Sequence, residues 1–495
     1  MSLKSLCVAA AAMLYSQLVL AQGYFLPATD SRLRDDVVLI VDEGVINLPT
    51  NAWPIPTADL AKAVSRIKPE DIGSPALRAA LMRVQARVKH RDDASDWKTH
   101  EISVTAGEPG LLRTDATLGR ESFELHSEGG AQSDRYNINI SVSAVANASD
   151  DKTFRLDGSD ISIRWGNWLF SANQMERWWG PGRDGSLILS TNARPMPGVS
   201  LDRIRSEPFD FPVLRWLGPW RFTGFISVMD SNRADFDHPL FMGMRVSFKP
   251  LPILEFGLSR TAQFCGKGRT CDLKTIGNML LGQDNLGIRG LKNATEEPGN
   301  QMAGADVKLV SPFRSLPLAV DAQLIGEDNS SSSIPERYLA QFGAESWHLL
   351  ESGSVLRARV EYANTKCKWD QVDVFANCAY RQHTFFAGYR YYSRNVGSST
   401  DADSETFSAA FSLIQRDGQQ WRAELRNGRL DRYGPPDPYN PLTKGASDYK
   451  SLELTWGGVA WAQNLGIQLG YENQSGSQGK DQSGVFGFIQ WRKAL

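Results

Sequence analysis

Between Ser171 and Arg203 the chain reads SANQMERWWGPGRDGSLILSTNARPMPGVSLDR, its densest run of residues able to do chemistry. Two adjacent tryptophans, Trp178 and Trp179, offer flat apolar faces, each worth about 25 cal/mol per Å² covered. Arg183 and Arg194 carry planar forks of N–H donors that match a carboxylate or a phosphate two bonds at a time. Asp184 and Asn192 suit hydroxyl partners. The same residues have a structural use. The tryptophans can fill a core, Gly180-Pro181-Gly182 can make a tight turn, and the arginines can brace carboxylates such as Glu176 or Glu327. Residue types alone leave both uses open.

Catalytic constellations are harder to assemble. A serine hydrolase needs a histidine in reach of a serine and of an orienting acid or amide. Of the six histidines, His90 and His100 lie in or beside an early helical region. His126-Ser127 and His383-Thr384 are adjacent, which on a strand turns the two side chains to opposite faces. Glycoside hydrolysis needs two carboxyls facing one cleft, and the neighbours Glu327 and Asp328 meet the same objection. No P-loop, dinucleotide fingerprint, HExxH or EF-hand loop occurs. CGKGRTC has no histidine nearby to complete a zinc site. The expectation is a protein without catalysis, cofactor or metal. With 54 basic and 56 acidic residues, it also has no overall positive field for nucleic acid.

Whatever the Ser171–Arg203 stretch does, other elements must hold it. Residues 1–21 place Lys4 ahead of an apolar run from Leu6 to Leu20 and end in small residues at Ala21, the pattern of a cleaved export signal. Export removes Cys7 and leaves two close pairs, Cys265 with Cys271 and Cys367 with Cys378. Four cysteines allow three connectivities. Local pairing suits an oxidising compartment, contributes about 2–3 kcal/mol per bridge, and is expected to sit in exposed loops. Residues 22–98 then read as a bundle of three short helices. Leu33, Val37, Ile40 and Val41 follow an Asp30 or Ser31 cap and stop at Gly44; Leu60, Val64 and Ile67 follow Thr57; Leu77, Leu81, Val84 and Val88 follow Ser74-Pro75. These stripes need a partner surface.

From residue 99 to 495 the period changes to two. Tyr136, Ile138, Ile140 and Val142 alternate with Asn137, Asn139 and Ser141, and about a dozen such blocks recur between turns rich in Gly, Asn, Asp and Pro. Beyond residue 21 no apolar run approaches the ~18 residues of a membrane helix. A barrel hides its apolar residues in alternation, which accords with a mean hydropathy of −0.34. Trp165, Trp168, Trp220, Tyr389, Tyr391, Trp456 and Trp491 fall near block ends, where an interfacial girdle belongs. At roughly 20–24 residues per strand and connection, the region holds about 16–20 strands. An arginine facing lipid costs about 2–4 kcal/mol. Arg357, Arg359, Glu361, Arg422, Glu424, Arg426 and Glu453 are therefore assigned to the lumen, as paired braces or as the lining of a conducting path.

Within this architecture, WWGPGRDGSL and STNARPMP resemble the signature of the Wzi family of capsule-assembly outer-membrane proteins. DEGVINLPTNAWPIP, EPGNQMAGADVKL, AQLIGEDN, EYANTKC and GYRYYSRNVGSSTDADS resemble further family blocks in order, from about residue 24 to the end. The resemblance implies a mainly β fold, an antiparallel transmembrane barrel of 18 strands with a small α-helical bundle on the periplasmic side. It implies a lectin-like, non-catalytic activity that holds capsular or exported polysaccharide at the surface of a Gram-negative cell. The partners it implies are that polysaccharide, outer-membrane lipid and the barrel assembly machinery. On this reading Trp178, Trp179, Arg183, Asp184, Asn192 and Arg194 meet sugar faces, acidic substituents and hydroxyls, and many barrels hold one repeating polymer by avidity. A passive channel for small solutes or oligosaccharides is the second reading. The chain departs from the barrel pattern at its end, WRKAL, where outer-membrane barrels usually finish on an aromatic residue.

Overall fold

The computed structural model describes residues 24–89, 98–231, 233–280, 299–327, 337–371, 376–433, 436–460, 463–476 and 481–494; the leader expected at 1–21 lies outside them. Three helices open the chain: α1 (Ser31–Asp42), α2 (Thr57–Val64) and α3 (Pro75–Lys89). Asp30 caps α1 by accepting from the Leu33 N–H at 3.1 Å, and Gly44 follows the helix with φ 72°. Ser74 Oγ accepts from the Leu77 N–H at 3.4 Å, ahead of Pro75. The second helix departs from expectation. Pro56 takes the cap position, Thr57 becomes the first helical residue, and the helix ends at Val64, short of Ile67. The Pro56 ring fixes the extended approach but carries no acceptor for the first helical N–H groups, so the helix starts without a side-chain cap.

Eighteen antiparallel strands close one barrel. They are β1 (Lys98–Glu108), β2 (Phe123–Gln132), β3 (Tyr136–Ala146), β4 (Phe154–Arg155 and Asp160–Trp165), β5 (Trp168–Asn173) and β6 (Gly198–Arg203). Next come β7 (Trp220–Val228), β8 (Leu240–Leu251), β9 (Leu254–Phe264), β10 (Gly299–Val310), β11 (Leu318–Glu327) and β12 (Arg337–Leu349). The last six are β13 (Val355–Asn364), β14 (Glu405–Ile414), β15 (Gln420–Leu430), β16 (Ser447–Ala460), β17 (Gln463–Gly476) and β18 (Gln482–Ala494). Both pieces of β4 pair with β3. Despite its basic end, β18 runs through Lys493 and pairs back onto β1, closing the cylinder. A short helix, α4 (Leu273–Leu280), lies in the β9–β10 connection.

The alternation resolves with polar side chains inside and apolar side chains outside. In β3, Asn137, Asn139, Ser141 and Ser143 are buried, while Tyr136 and Val142 are exposed. In β15, Arg422, Glu424 and Arg426 are buried, and Trp421 and Leu425 are 53% and 50% exposed. This is the surface of a barrel surrounded by hydrocarbon. Trp165 lies on that outer surface. Tyr389 and Tyr391 do not: they are 0% and 5% exposed, because residues 376–404 fold back into the lumen.

The two ends of the barrel are unlike. Short connections (252–253, 311–317, 350–354, 415–419) mark one end, and long ones (229–239, 265–298, 365–404, 431–446) the other. The helices lie inside the short-turn end. Their apolar stripes share one core with Val310, Ala319, Trp347, Val355 and Ile414 of the wall. These residues face inward at the short-turn ends of their strands. Further in, the same phase carries Lys308, Asp321, Glu345 and Arg357. The partner surface that the helical stripes need is therefore the inside of the barrel itself.

Both local disulfides form, Cys265–Cys271 and Cys367–Cys378. They lie in connections, but only Cys271 is exposed. Cys265, Cys367 and Cys378 are 2%, 0% and 8% exposed, since their loops pack inward across the lumen instead of standing in solvent.

Candidate functional site

The Ser171–Arg203 stretch leaves the wall after β5, crosses the lumen and returns as β6. At its start Trp178 and Trp179 pair as a two-residue strand with Trp53 and Ala52 of the helical segment. Trp178 Nε1 donates to the Gly182 carbonyl at 2.9 Å, and the Arg34 guanidinium lies 5.1 Å from its ring centre. Trp179 packs on Phe225. Each indole is 1% exposed. The turn between them and Arg183 is tight enough to require glycine. Gly180 has φ 142°, and a Cβ there would come 2.7 Å from Gln323 Nε2.

The polar members of the stretch tie this crossing to everything around it. The Arg183 N–H donates to Glu361 at 2.7 Å, and its guanidinium meets Asp35 at 2.5 Å and Asp115 at 2.6 Å. Asp184 meets Arg426 at 2.5 Å. Burial pushes the Asp184 carboxyl up to about 7, Arg426 opposes this, and Glu424 and Glu361 add to the rise. Asn192 Nδ2 donates to the Asn395 carbonyl at 2.9 Å. Arg194 forks onto Asp157 with two bonds of 2.8 Å, also pairs with Asp150, and lies over the Tyr392 ring. Thus Trp178, Trp179, Arg183 and Asn192 are buried, Asp184 and Arg194 are half-buried, and all six hold the crossing segment to the plug, the wall or the loops above.

The seven lumen charges form the wall side of the same lattice. Arg357 pairs with Glu345, and Arg359 with Asp321, Glu345 and Glu361. Arg422 meets Asp115 at 3.2 Å and Glu424 at 3.0 Å, and Arg426 reaches Glu424 at 2.9 Å and Glu453 at 3.5 Å. Asp35 and Asp115 belong to the helical segment and to the β1–β2 connection, so charge pairing runs from plug to crossing segment to wall. A guanidinium in such a lattice is held on several sides.

A second layer closes the long-loop end. The Tyr380 and Tyr389 hydroxyls donate to the Leu187 and Ile188 carbonyls at 2.8 and 3.2 Å, seating residues 376–404 on the crossing segment. Above them Arg390 makes two bonds of 2.8 Å to Asp401 and one of 2.8 Å to Asp437, which also pairs with Arg381. Burial raises the carboxyls of Asp403, to about 7, and of Asp431, to about 6, with neighbouring aspartates adding to both. The cavities described inside the barrel are small. One of about 70 Å³ lies beside the start of α1, against Arg32, Arg422 and Gln490, and others measure about 10–20 Å³.

Among the described residues of the long-loop end is an arrangement that local sequence patterns did not reveal. Half-buried Tyr439 lies against Phe386 and 5.9 Å from the Arg381 guanidinium. Half-buried Tyr433 lies between Lys366 at 5.2 Å and Arg432 at 5.1 Å. The residues come from two loops about 50–70 positions apart, so no local spacing announces them; the only signal is a pair of tyrosines flanking the proline-rich PPDP. Cross-strand pairing supplied another contact that adjacency reasoning missed. His126 Nδ1 lies 3.1 Å from Ser143 Oγ on the next strand, with Glu128 at 3.8 Å from Nε2. Ser143 is 2% exposed, which leaves its hydroxyl no approach for a substrate.

Comparison with known proteins matches this arrangement. The family profile described as "Capsule assembly protein Wzi" matches residues 116–484. A Klebsiella pneumoniae protein described as an uncharacterized 55.8 kDa protein in the cps region is 27% identical over 474 residues, covering 93% of this chain and 88% of that protein. Among solved structures, the Escherichia coli Wzi superposes with a TM-score of 0.80 at 23% identity, covering 97% of this chain and 100% of that one. It is described as an outer-membrane protein involved in group 1 capsule assembly and a carbohydrate-binding β-barrel. The Pseudomonas aeruginosa outer-membrane protein OprD covers 82% of this chain at 9% identity and a TM-score of 0.45.

Proposed function

The chain belongs to the Wzi family of capsule assembly proteins, and from that premise we propose that it is an outer-membrane barrel which binds capsular or exported polysaccharide and retains it at the cell surface, without catalysis. Short turns face the periplasm in such barrels and long loops face outward. Residues 1–21 are then the export signal, residues 22–98 a periplasmic helical segment plugging the barrel, and residues 99–495 the barrel. The barrel assembly machinery inserts it, and the two disulfides fit the oxidising compartment it passes through.

The observation that carries the reading is the division of labour along the barrel axis. The arginines, carboxylates and tryptophans of the interior are buried against one another, whereas the half-buried rings of Tyr433 and Tyr439 stand at the outward end, beside Arg432, which pairs with Glu405, and Arg381, which pairs with Asp437. A tyrosine ring covers the C–H face of a sugar, and a guanidinium next to it takes an acidic substituent. Each contact is weak, but a polymer repeats its epitope and a cell displays many barrels, so retention comes from avidity. The Ser171–Arg203 residues act one layer below, holding the platform that carries these loops.

The test is polysaccharide retention by cells, together with glycan binding by the detergent-solubilised protein. Tyr433→Ala with Tyr439→Ala is expected to release polymer into the medium while the barrel still shows heat-modifiable migration. Undiminished retention by that folded double variant would remove the outward loops from the binding site. In a planar bilayer the wild-type protein is expected to give no steady large conductance; a stable open level would instead support the passive channel.

A further inference from the structure

The connection between β6 and β7 carries a group of side chains that neither the plug, the lumen nor the outward loops use. Residues 207–217 read EPFDFPVLRWL. Within it Phe211, Val213, Leu214 and Trp216 are 61%, 65%, 38% and 63% exposed. Four large apolar side chains this open in six residues are far from the scattered single exposures of an ordinary surface. The connection leaves the barrel at the short-turn end, beside the β8–β9 turn, where the Lys249 N–H donates to the Pro219 carbonyl at 2.9 Å.

Two contacts fix its direction. Trp220 belongs to the outward-facing phase of β7, with Phe222, Ile226 and Val228. Phe209 stacks on Trp220, ring centres 4.3 Å apart, and the outward-facing Arg203 covers the same ring at 3.9 Å while donating to the Trp220 and Glu207 carbonyls. The segment is thereby folded over the outer wall rather than under the mouth. Its exposed face continues an established apolar surface. Trp165 and Leu251 lie along the same rim at 75% and 52% exposed, with Phe313 and Leu316 of the β10–β11 turn at 66% and 52%. Exposed Arg215 lies between Leu214 and Trp216, a cation among apolar neighbours.

We propose that residues 207–217 form an interfacial anchor, lying in the phospholipid leaflet at the short-turn end with Phe211, Val213, Leu214 and Trp216 among the acyl chains and Arg215 at the level of the headgroup phosphates. The occupant of this face is lipid because the face is continuous with the hydrocarbon-facing wall and because its neighbour Phe209 is stacked on a wall residue. The anchor is also tied to the plug. Asp59 of α2 accepts from the Ser206 N–H at 3.0 Å and its Oγ at 3.1 Å, and Lys62 pairs with Glu207. The membrane thus holds the helices in the barrel mouth as well as the barrel in the membrane. The inference rests on the barrel spanning a bilayer and is independent of polysaccharide binding.

The test places an environment-sensitive NBD label at Val213→Cys or, as control, at Lys444→Cys in an outward loop, in full-length protein reconstituted in phosphatidylethanolamine–phosphatidylglycerol vesicles. Both positions are exposed, so neither substitution disturbs a core, and heat-modifiable migration checks folding. At position 213 the emission is expected to shift to the blue, to fall roughly twofold with doxyl-labelled lipid and to resist iodide, while position 444 behaves oppositely. Iodide quenching at 213 equal to that at 444 would overturn the anchor. Protection from both quenchers would overturn it too, since a protein surface would then cover the face.

Discussion

At the short-turn mouth, Leu39, Ile40 and Leu60 of the helices share an apolar core with Val310, Trp347 and Ile414 of the wall; at the long-loop mouth, two disulfides, the Arg390–Asp401–Asp437 cluster and packed tyrosines hold loops with little helix between them. Both mouths are closed, by different means. Helices bring apolar stripes that strands can cover, so the short-turn plug is stabilised by burial and fixed in register by the Arg183–Asp35 and Lys308–Asp42 pairs. The loops at the other mouth also bury a core, Tyr380, Tyr389 and Val396 against Leu187, Ile188 and Phe241, and the outward cap adds cross-links and charge-assisted bonds to it. The difference teaches where function can sit. The interior lattice ties plug, crossing segment and wall together, and a substitution in the cap surface is expected to leave the barrel seated.

The comparison is broken most decisively at the lattice. Arg183→Met leaves Asp35 and Asp115 without their shared partner, and loss of one member of a buried pair costs about 3–5 kcal/mol. The expected outcome is a lowered denaturant midpoint and protease access to the helices, with glycan binding per folded barrel unchanged. A stable variant that no longer binds polymer would assign Arg183 to the ligand instead. Replacing Cys367 and Cys378 by serine is expected to cost about 2–3 kcal/mol, felt locally. Hydrogen exchange should rise across residues 376–404, while the helices at the other mouth keep their protection.

A pH series sharpens the contrast. Asp403 and Asp431 titrate at about 7 and about 6 in the folded cap, against about 3.9 in an unfolded chain. Below pH ~4 both are protonated in either state, and their effect on the balance is constant. Between that and neutrality the folded cap keeps protons that the opened cap has released, so cap stability falls as pH rises and levels off above about 7. Protection of the cap loops should therefore be greater at pH 5.5 than at pH 8, and Asp403→Asn should flatten the profile. The smallest effect belongs to the surface. Arg429 and Asp448, with side chains 57% and 62% exposed, form a pair worth less than about 1 kcal/mol, so Arg429→Ala is expected to leave thermal unfolding nearly unchanged.

Much of the fold was legible in local pattern. Asp30, Gly44, Ser74 and Pro75 mark helix ends because capping is a matter of a few adjacent atoms, and Arg357, Glu424 and Glu453 declare the lumen because a period of two leaves only two faces. Even the docking place of the helices had a trace, in inward positions that turn apolar at Val310, Trp347 and Ile414. The site was less legible. Trp178, Asn192 and Arg194 are of types equally suited to sugar and to core, and sequence spacing cannot say which faces are covered. Tyr389 and Tyr391 illustrate the same limit, since a tyrosine near a strand end fits an interfacial girdle until its loop is known to fold inward.

Local sequence alone determined the caps of α1 and α3, the alternation and the identity of the inward charges, because each follows from bonds and burial within a few residues or along one strand. Only the tertiary structure decided that the WWGPGRDG stretch crosses the lumen as a brace, that the cap tyrosines lie beside cations from another loop, and that residues 207–217 turn outward over the wall. Those outcomes depend on which distant segments occupy the same volume, and exclusion and desolvation inside a closed cylinder are properties of the whole chain.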